Sequence, residues 1–296
     1  MKILVTNKIP FYDEVIKPLS EHEVVLGKLE DLDETYDGLL CLLTDKVNKN
    51  ILEKATKLKI IANYAVGFDN IDVDYAKSRN IIVTNTPCDE VSEAVAEFTW
   101  TLILAAARKL EPAADFAKNV GYKGWQPDIF IGTDLKNKTL GIIGAGRIGS
   151  IVAEKAGAFG MKVITHSRTS NTKLEEVILG SDVVSLHVPL TPETKHMINA
   201  KTVFKSGAIL VNTARGPVVD ESGLLELLQN GLLAGAALDV WENEPNPRPE
   251  LVEMSNVILT PHIASATKSA RLAMAKLACD NLLAVFSGKP PLSAVK

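Results

Sequence analysis

Residues 139–149 read TLGIIGAGRIG, a short apolar run that ends in the Gly-x-Gly-x-x-Gly pattern of residues 144–149. This pattern predicts a strand, a tight turn and the start of a helix, the arrangement that holds a dinucleotide pyrophosphate. The N–H groups and the positive dipole end of such a helix favour an anion. Residues 147–159 continue at helical spacing and residues 162–165 begin a further strand, so the flanks favour a βαβ unit over a chance glycine-rich turn.

The composition is that of a globular protein, with 296 residues, 46% of them hydrophobic and 23% charged. This length favours two domains. The net charge of -4 gives no reason to expect nucleic-acid binding, and the chain shows no apolar run of membrane-spanning length. Three scattered cysteines and five histidines without metal-ligand spacing predict a cytoplasmic protein without a metal site. Residues 1–5 are interpreted as a strand rather than the start of a signal peptide.

Short apolar strands alternate with helical stretches on both sides of the glycine-rich loop, which predicts parallel sheets with helices on both faces. The predicted fold class is α/β, with two doubly wound parallel-sheet domains and a cleft between them. Residues 1–98 and 268–296 are assigned to a flavodoxin-like substrate domain, and residues 99–267 to a Rossmann cofactor domain. A long apolar helix is expected over Glu90–Lys109, and residues 119–138 are expected to form a loop or an oligomer contact.

The individual elements follow from apolar patterning. In the first domain, helices are expected over Phe11–Leu19 and Asn50–Ala55, and a final helix over Thr267–Ser287. The strands expected around the glycine-rich loop, in chain order, are Lys2–Thr6, Glu23–Leu26, Gly38–Leu43, Lys59–Asn63, Ile81–Thr84, Val163–Thr165, Asp182–Leu186, Ala208–Val211, Gly235–Asp239 and Val257–Leu259.

Polar segments follow three predicted strands of the second domain, at residues 212–216, 239–245 and 261–265. Strand carboxyl ends are where a doubly wound sheet presents residues to a ligand. Taken singly, the candidates keep ordinary alternatives: a structural ion pair for Arg215, and a packed histidine for residue 262. Glu244 has the alternative of a solvated loop acid.

Together, these segments resemble the D-isomer-specific 2-hydroxyacid dehydrogenase family, most closely its glyoxylate and hydroxypyruvate reductases. The similarity covers nearly the whole chain, and five ordered motifs of the second domain make it specific. The matching segments are GAGRIG at 144–149, LHVPLT at 186–191, NTARG at 212–216, LDVWENEP at 238–245 and TPHIAS at 260–265. In the first domain, ANYAVGFDNID at 62–72 resembles the substrate loop of that family.

The resemblance implies a role for each catalytic candidate. Arg215 would hold the substrate carboxylate with its planar fork and polarise the adjacent carbonyl. His262 would give a proton to the ketone oxygen as hydride arrives, with Glu244 on its other ring nitrogen. The backbone N–H groups of Val66 and Gly67 would help to hold the carboxylate.

The same resemblance implies the cofactor contacts. They fall on the glycine-rich loop, on a segment beside the adenine ribose, and on an acid, Asp239, that accepts from the nicotinamide carboxamide. The alternative role for Asp239 is a turn cap. The residues are Gly144, Gly146, Arg147, Ile148, Gly149, Ser167, Arg168, Thr169, His187, Val188, Pro189, Thr213 and Asp239. His22, His166 and His196 have no supporting acid at comparable spacing and are expected to be surface histidines.

The segment near residue 167 decides the cofactor prediction. An acid about 20 residues past the first glycine normally binds the ribose 2′-hydroxyl of NAD. Residues 155–174 contain no Asp or Glu, and residues 167–169 read Ser-Arg-Thr. The two hydroxyls can donate to a 2′-phosphate and Arg168 can pair with it, which favours NADP(H) over NAD(H). The alternative is that Arg168 points to solvent and leaves weak selectivity.

The predicted function is NAD(P)H-dependent reduction of a small 2-keto acid of the glyoxylate or hydroxypyruvate type to the D-2-hydroxy acid. A D-lactate or D-3-phosphoglycerate type dehydrogenase is the alternative among enzymes. A non-catalytic dinucleotide-sensing interaction protein is the alternative of another class. A homodimer is expected from the resemblance, with the Glu90–Lys109 helix and the arm around Trp125 as candidate contacts, and neither nucleic acid nor membrane is an expected partner.

Overall fold

The computed structural model describes residues 1–295, except for the side chains of residues 119–121. The chain forms two compact units, one of Met1–Val91 with Ala266–Lys296 and the other of Ser92–Ser265. The boundaries expected from the sequence, after residues 98 and 267, lie a few residues further along the chain. Lys296 of the predicted substrate domain and the side chains of residues 119–121 in the predicted arm lie outside the described residues.

The strands are close to those expected from the sequence, with ends that differ by at most two residues. They are β1 (Lys2–Val5), β2 (Glu23–Leu26), β3 (Gly38–Leu42), β4 (Ile60–Tyr64), β5 (Ile82–Thr84), β6 (Thr139–Ile143), β7 (Lys162–His166), β8 (Val183–Leu186), β9 (Ala208–Asn212), β10 (Leu233–Leu238) and β11 (Val257–Leu259).

The α-helices alternate with these strands, as the βαβ pattern requires. They are α1 (Tyr12–Val15), α2 (Lys49–Lys54), α3 (Val73–Ser78), α4 (Asp89–Ala107), α5 (Leu110–Asp115), α6 (Arg147–Lys155), α7 (Leu174–Gly180), α8 (Glu221–Gln229), α9 (Pro249–Val252) and α10 (Lys268–Phe286). Short 3₁₀ segments cover Lys17–Leu19, Leu29–Asp31, Ala156–Phe159 and Gly216–Val218, and a π-helical turn covers Phe116–Gly121.

The expected helix over Phe11–Leu19 is wrong as a single element. It is divided into α1 and the 3₁₀ turn Lys17–Leu19, because Pro18 lacks the N–H that would continue the helical ladder.

The first unit is a five-stranded parallel sheet in the order β2-β1-β3-β4-β5, the flavodoxin-like order. Helix α10 packs on β4 within this unit. The Tyr64 hydroxyl donates to the Arg271 carbonyl across that contact at 3.0 Å. The C-terminal helix therefore belongs to the sheet built by the first 91 residues.

The second unit is a six-stranded parallel sheet in the order β11-β10-β9-β8-β6-β7, a Rossmann-type arrangement. Apolar clusters cover both of its faces: Leu210 belongs to one cluster, and its neighbours Ile209 and Val211 belong to the other. Successive strand residues point to opposite faces, so a run that is apolar throughout is buried on both. The strand order reverses between β6 and β8, which places the loop after β6 at the switch point where such sheets bind ligands.

The helices in residues 1–295 include none long and apolar enough to cross a membrane. Within the same residues, no group of three or more His, Cys, Asp or Glu side chains is placed to hold a metal ion. In the described part of the chain, Cys41, Cys88 and Cys279 form no disulfide bond.

Candidate active site

The glycine-rich loop joins β6 to α6 and has the geometry of a pyrophosphate cradle. Gly144 has a φ of 99°, a conformation that L side chains rarely adopt, and an added Cβ there would lie 2.5 Å from the His187 carbonyl oxygen. A Cβ at Gly149 would overlap the Gly144 carbonyl oxygen. At Gly146, by contrast, an added Cβ would meet open space, and this residue caps α6 without a side-chain hydrogen bond. The first turn of α6 therefore keeps backbone N–H groups for an anion.

The loop after β7 carries the residues expected at the adenosine ribose. The hydroxyls of Ser167 and Thr169 lie 3.4 Å apart, and Ser167 N–H donates to Ser170 Oγ at 3.0 Å. The Thr191 hydroxyl and, more weakly, the Arg168 guanidinium hold the pKa of Glu193 below its usual range. Arg168 therefore lies within electrostatic reach of an exposed carboxylate, and a bound phosphate would compete with that carboxylate.

The segment after β8 packs directly against the glycine-rich loop. His187 N–H donates to the Ile143 carbonyl at 2.7 Å, so its backbone is tied to the end of β6. Its ring nitrogen Nε2 lies 2.8 Å from Ser185 Oγ. Burial lowers the pKa of His187 to about 4, because the charged imidazolium is disfavoured away from water. A neutral ring with a partner in the preceding strand has a structural place, and the role expected for the backbone of residues 187–189 stays a prediction.

The three catalytic candidates lie in the second unit, in the loops after three adjacent strands. Leu238 of β10 pairs in register with Asn212 of β9 and with Leu259 of β11, so these strands end at the same level. Arg215 comes three residues after the end of β9, and His262 three residues after the end of β11. The parallel register thus brings residues far apart in sequence to one sheet edge.

The Arg215 loop is shaped by a buried asparagine. The amide of Asn212 donates to the Arg215 carbonyl at 2.9 Å, and its side-chain oxygen accepts from Ala214 N–H at 3.0 Å. The Arg215 guanidinium donates to the Ala214 carbonyl at 2.7 Å. Because Asn212 is fully buried, its amide can hold this turn without competition from water.

His262 and Glu244 form the pair expected from the sequence. His262 Nδ1 lies 3.0 Å from Glu244 Oε2, and Glu244 Oε1 accepts from Trp241 N–H at 3.3 Å. Both side chains are about a third exposed. Since Nδ1 faces the carboxylate, Nε2 is the ring nitrogen available for proton exchange with a ligand. The geometry supplies an oriented general acid–base group.

Asp239, fully buried, organises the loop that carries His262. Its carboxylate accepts from the Thr260 hydroxyl at 2.7 Å and from the N–H groups of Ile263 and Ala264 at 2.9 and 2.8 Å. Its carbonyl accepts from His262 N–H at 2.9 Å, and His262 has a φ of 54°. Burial raises the pKa of Asp239, and these hydrogen bonds oppose the rise. Three of the roughly four acceptor positions of a carboxylate are occupied, so a contact to the nicotinamide carboxamide stays a prediction.

The expected substrate loop follows β4 in the first unit. The Val66 carbonyl accepts from the Asn85 amide at 2.6 Å, and the Gly67 carbonyl accepts from the Asn63 amide at 2.9 Å. Asn63 is fully buried and also pairs with Asn70. These bonds hold the loop by its carbonyl groups, so the expected use of its N–H groups stays a prediction.

The His196 side chain is 41% exposed, as a surface histidine should be, but the expectation that it has no supporting acid is wrong. Its Nε2 lies 2.6 Å from Glu242 Oε1, and Glu242 in turn bonds the start of α8. These two residues are 46 positions apart. The pair forms only when the loops after β8 and β10 meet, and no motif of the sequence signals it.

The Rossmann-type sheet of the second unit agrees with the comparisons to known proteins. The family model of the D-isomer specific 2-hydroxyacid dehydrogenase NAD binding domain matches residues 100–264. A glyoxylate reductase of Thermococcus litoralis is 45% identical to this chain over 99% of the chain and 96% of the relative.

The chain belongs to the D-isomer specific 2-hydroxyacid dehydrogenase family.

Solved structures of similar proteins agree over nearly the full length. The NADPH-dependent glyoxylate/hydroxypyruvate reductase of Sinorhizobium meliloti, in complex with NADP and malonate, has a TM-score of 0.86 at 33% identity, covering 99% of this chain and 96% of that one. The D-lactate dehydrogenase of Aquifex aeolicus, complexed with NAD and lactic acid, has a TM-score of 0.87 at 32% identity, covering 97% and 96%. As a 2-hydroxyacid dehydrogenase, this chain is an oxidoreductase that binds a nicotinamide dinucleotide and acts on a small keto or hydroxy acid.

Proposed function

We propose that this dehydrogenase reduces a small 2-keto acid of the glyoxylate or hydroxypyruvate type to its D-2-hydroxy acid, with NADPH as the preferred cofactor. The observation that carries the proposal is the 3.0 Å contact between His262 Nδ1 and Glu244, which joins the loops after β10 and β11. The glyoxylate reductase relative supports the substrate class.

Each of these side chains does one task. Arg215 binds the substrate carboxylate through its planar fork and draws electron density from the adjacent ketone. His262 gives the proton at Nε2 to the ketone oxygen in reduction and takes it back in oxidation. Glu244 fixes the ring orientation and stabilises the charged imidazolium. Val66 and Gly67 supply backbone N–H groups to the carboxylate.

The second unit fits a nicotinamide dinucleotide. Open space at Gly146 admits a pyrophosphate to the first turn of α6, beside Arg147 and Ile148. The backbone of residues 187–189 and Thr213 line the same carboxyl edge of the sheet. The bound cofactor supplies the hydride, and the protein's task is to orient it and supply the proton.

Steady-state oxidation of NADPH with glyoxylate, hydroxypyruvate and pyruvate tests the function. We expect His262→Ala to lower kcat by about 10²- to 10⁴-fold, the usual size of a general acid contribution. His22→Ala is the matched control, because His22 packs edge-to-face on Phe286 in the first unit and belongs to no site motif. Full activity of His262→Ala would overturn the assignment, and a strong preference for pyruvate would favour a D-lactate dehydrogenase. Binding of NADPH without its oxidation by any of the keto acids would favour the non-catalytic dinucleotide-sensing interaction protein.

The cofactor preference rests on Ser167, Arg168 and Thr169. We expect Arg168→Ala to erode the ratio of kcat/KM for NADPH over NADH by about tenfold or more while turnover with NADH persists, because one charge-assisted pair to the 2′-phosphate is lost. Lys173→Ala, which removes an exposed cation of the same loop, is the control. Equal efficiencies of the native enzyme with the two cofactors would refute the preference.

A homodimer is the assembly we propose, with the arm around Trp125 as its contact. The Trp125 side chain is 80% exposed and Ile131 is 66% exposed, an unusual setting for large apolar groups. Sedimentation of the native chain and of Trp125→Ser tests this assembly. A monomeric native chain would refute it, and an unchanged dimer in the variant would remove Trp125 from the contact. We also propose a cytoplasmic location, which cell fractionation tests.

A further inference from the structure

A second cluster of ionisable groups lies next to the catalytic pair, formed by Glu221, Glu242 and His196. Glu242 Oε1 lies 2.6 Å from His196 Nε2. Glu242 Oε2 accepts from Glu221 N–H at 3.1 Å, and Glu242 N–H donates to Glu221 Oε1 at 2.7 Å. Each glutamate thus caps the backbone of the other. We call these three residues the glutamate clamp.

The clamp includes a buried position, where a charged carboxylate is disfavoured because it loses contact with water. Glu221 is only 4% exposed, and burial raises its pKa. The N–H of Glu242 and the charge of Arg248 oppose the rise, whereas the carboxylates of Glu242 and Asp220 add to it. A buried acid beside a second acid is tolerated only when hydrogen bonds and cations offset its desolvation. The hydrogen bonds that offset the burial of Glu221 act on one short segment of backbone, at Glu242.

That segment carries Glu244. The clamp holds the N–H and side chain of Glu242, and the preceding residue, Trp241, donates its own N–H to Glu244 Oε1 at 3.3 Å. The Trp241 backbone also lies against Gly216, where an added Cβ would overlap the Trp241 carbonyl. Two sets of contacts, to the clamp and to Gly216, therefore hold the backbone at residues 241–242, and Glu244 follows this segment to reach His262.

We propose that Glu242 is a positioning residue for the reaction: held by His196 and Glu221, it fixes the backbone from which Glu244 orients His262. The proposal rests on the proposed function of His262 and Glu244. In the described hydrogen bonds, His196 and Glu221 contact neither of these two side chains. They act on the reaction only through Glu242.

The test is a double-mutant cycle measured on kcat of keto acid reduction. We expect Glu242→Ala to lower kcat by about tenfold, since displacements of about 1 Å in a catalytic group cost up to about 100-fold. In the Glu244→Ala background the same substitution is expected to change kcat by less than about twofold, because the group to be positioned is already gone. Losses that multiply in the double variant, or an unchanged kcat in Glu242→Ala, would overturn the proposal.

Substitutions of His196 provide a second test, because they remove a side-chain partner of Glu242 and leave the Glu221 contacts in place. The His196 side chain is 41% exposed, so His196→Ala is expected to fold. We expect it to lower kcat, and His196→Gln, which keeps a donor for Glu242, to restore most of the loss. Equal losses in the two variants would contradict the proposal.

Asp182→Asn is the matched control for general destabilisation. It removes ion pairs to Lys138 and Lys205 in the same unit. Asp182 directly precedes β8, so it lies at the edge of the sheet opposite to the catalytic loops. We expect lower stability with unchanged kcat. A fall in kcat equal to that of Glu242→Ala would mean that the clamp acts through stability alone, against the proposal.

A spectroscopic readout separates this proposal from the proposed function. The His262 Nδ1–H in its bond to Glu244 should give a proton resonance that is absent in His262→Gln and lost or shifted in Glu242→Ala. An unchanged resonance would refute the positioning role. Absence of keto acid reduction by the native enzyme would refute the proposed function, and the resonance would still decide the role of Glu242.

Discussion

Gly216→Ala is expected to lower both stability and activity, because Gly216 packs directly against the backbone of a catalytic loop. A Cβ added at Gly216 would overlap the Trp241 carbonyl group and lie 2.7 Å from Glu242 N. Nonbonded carbon and oxygen atoms approach to about 3.3 Å, so relief requires a backbone shift on the order of 1 Å. Both neighbours are backbone atoms, so a side-chain rotation cannot make room.

The expected cost has two parts. Insertion of a methyl group into a packed interior usually costs about 1–3 kcal/mol of unfolding free energy. The shift also moves Arg215, which precedes Gly216, or the segment that carries Glu244, and displacements of about 1 Å lower rates by roughly 100-fold. We therefore expect kcat/KM for the keto acid to fall by about 100-fold while the protein still folds.

The assay compares steady-state rates and urea unfolding of the native chain, Gly216→Ala and Gly157→Ala. Gly157 lies in the same unit, and an added Cβ there would meet open space, so this variant is expected to keep both rate and stability. A native-like kcat/KM in Gly216→Ala would refute the reasoning, because it would show that the two loops separate without a change in the site.

Three further predictions concern ionisable groups. Burial alone would raise the pKa of Asp182, but hydrogen bonds from Lys205 and Thr139 N–H, with the charges of Lys205 and Lys138, hold it below its usual value. Asp182→Asn should therefore lose about 1–2 kcal/mol of unfolding free energy at pH 7, and this difference should close as the pH falls below about 4, measured by urea unfolding. Since burial lowers the pKa of His187 to about 4, its imidazole should show no titration between about pH 5 and 8 by NMR, and a titration near the ordinary value would contradict its burial. Burial raises the pKa of Cys279 to about 12, so its thiol and that of buried Cys41 should react with a thiol reagent only as fast as the protein unfolds. Fast modification of either thiol in the folded protein would contradict this.

Local patterns were enough for much of the fold. The alternation of apolar strands and helices, and the glycines at residues 144–149, predicted the two parallel sheets and the loop at the switch point. The helix expected over Phe11–Leu19 was wrong because Pro18 interrupts the backbone ladder. Such features depend on residues close in sequence, so they can be inferred from neighbours alone.

The catalytic candidates were predicted from the sequence because each lies in a motif that resembles the family and directly follows a strand. Their catalytic roles stay predictions, whereas the contact expected between Glu244 and His262 is present at 3.0 Å. That distance itself depends on the register of β9, β10 and β11, which side-chain packing on both sheet faces sets.

Only the tertiary structure decided which groups support these residues. His196 and Glu242 are 46 positions apart, and the bonds from Asp239 to the His262 loop span more than 20 positions. No periodic pattern encodes such contacts. They arise when loops after parallel strands meet at one edge, where a buried carboxylate must find donors among whatever backbone and side-chain groups the packing brings within reach.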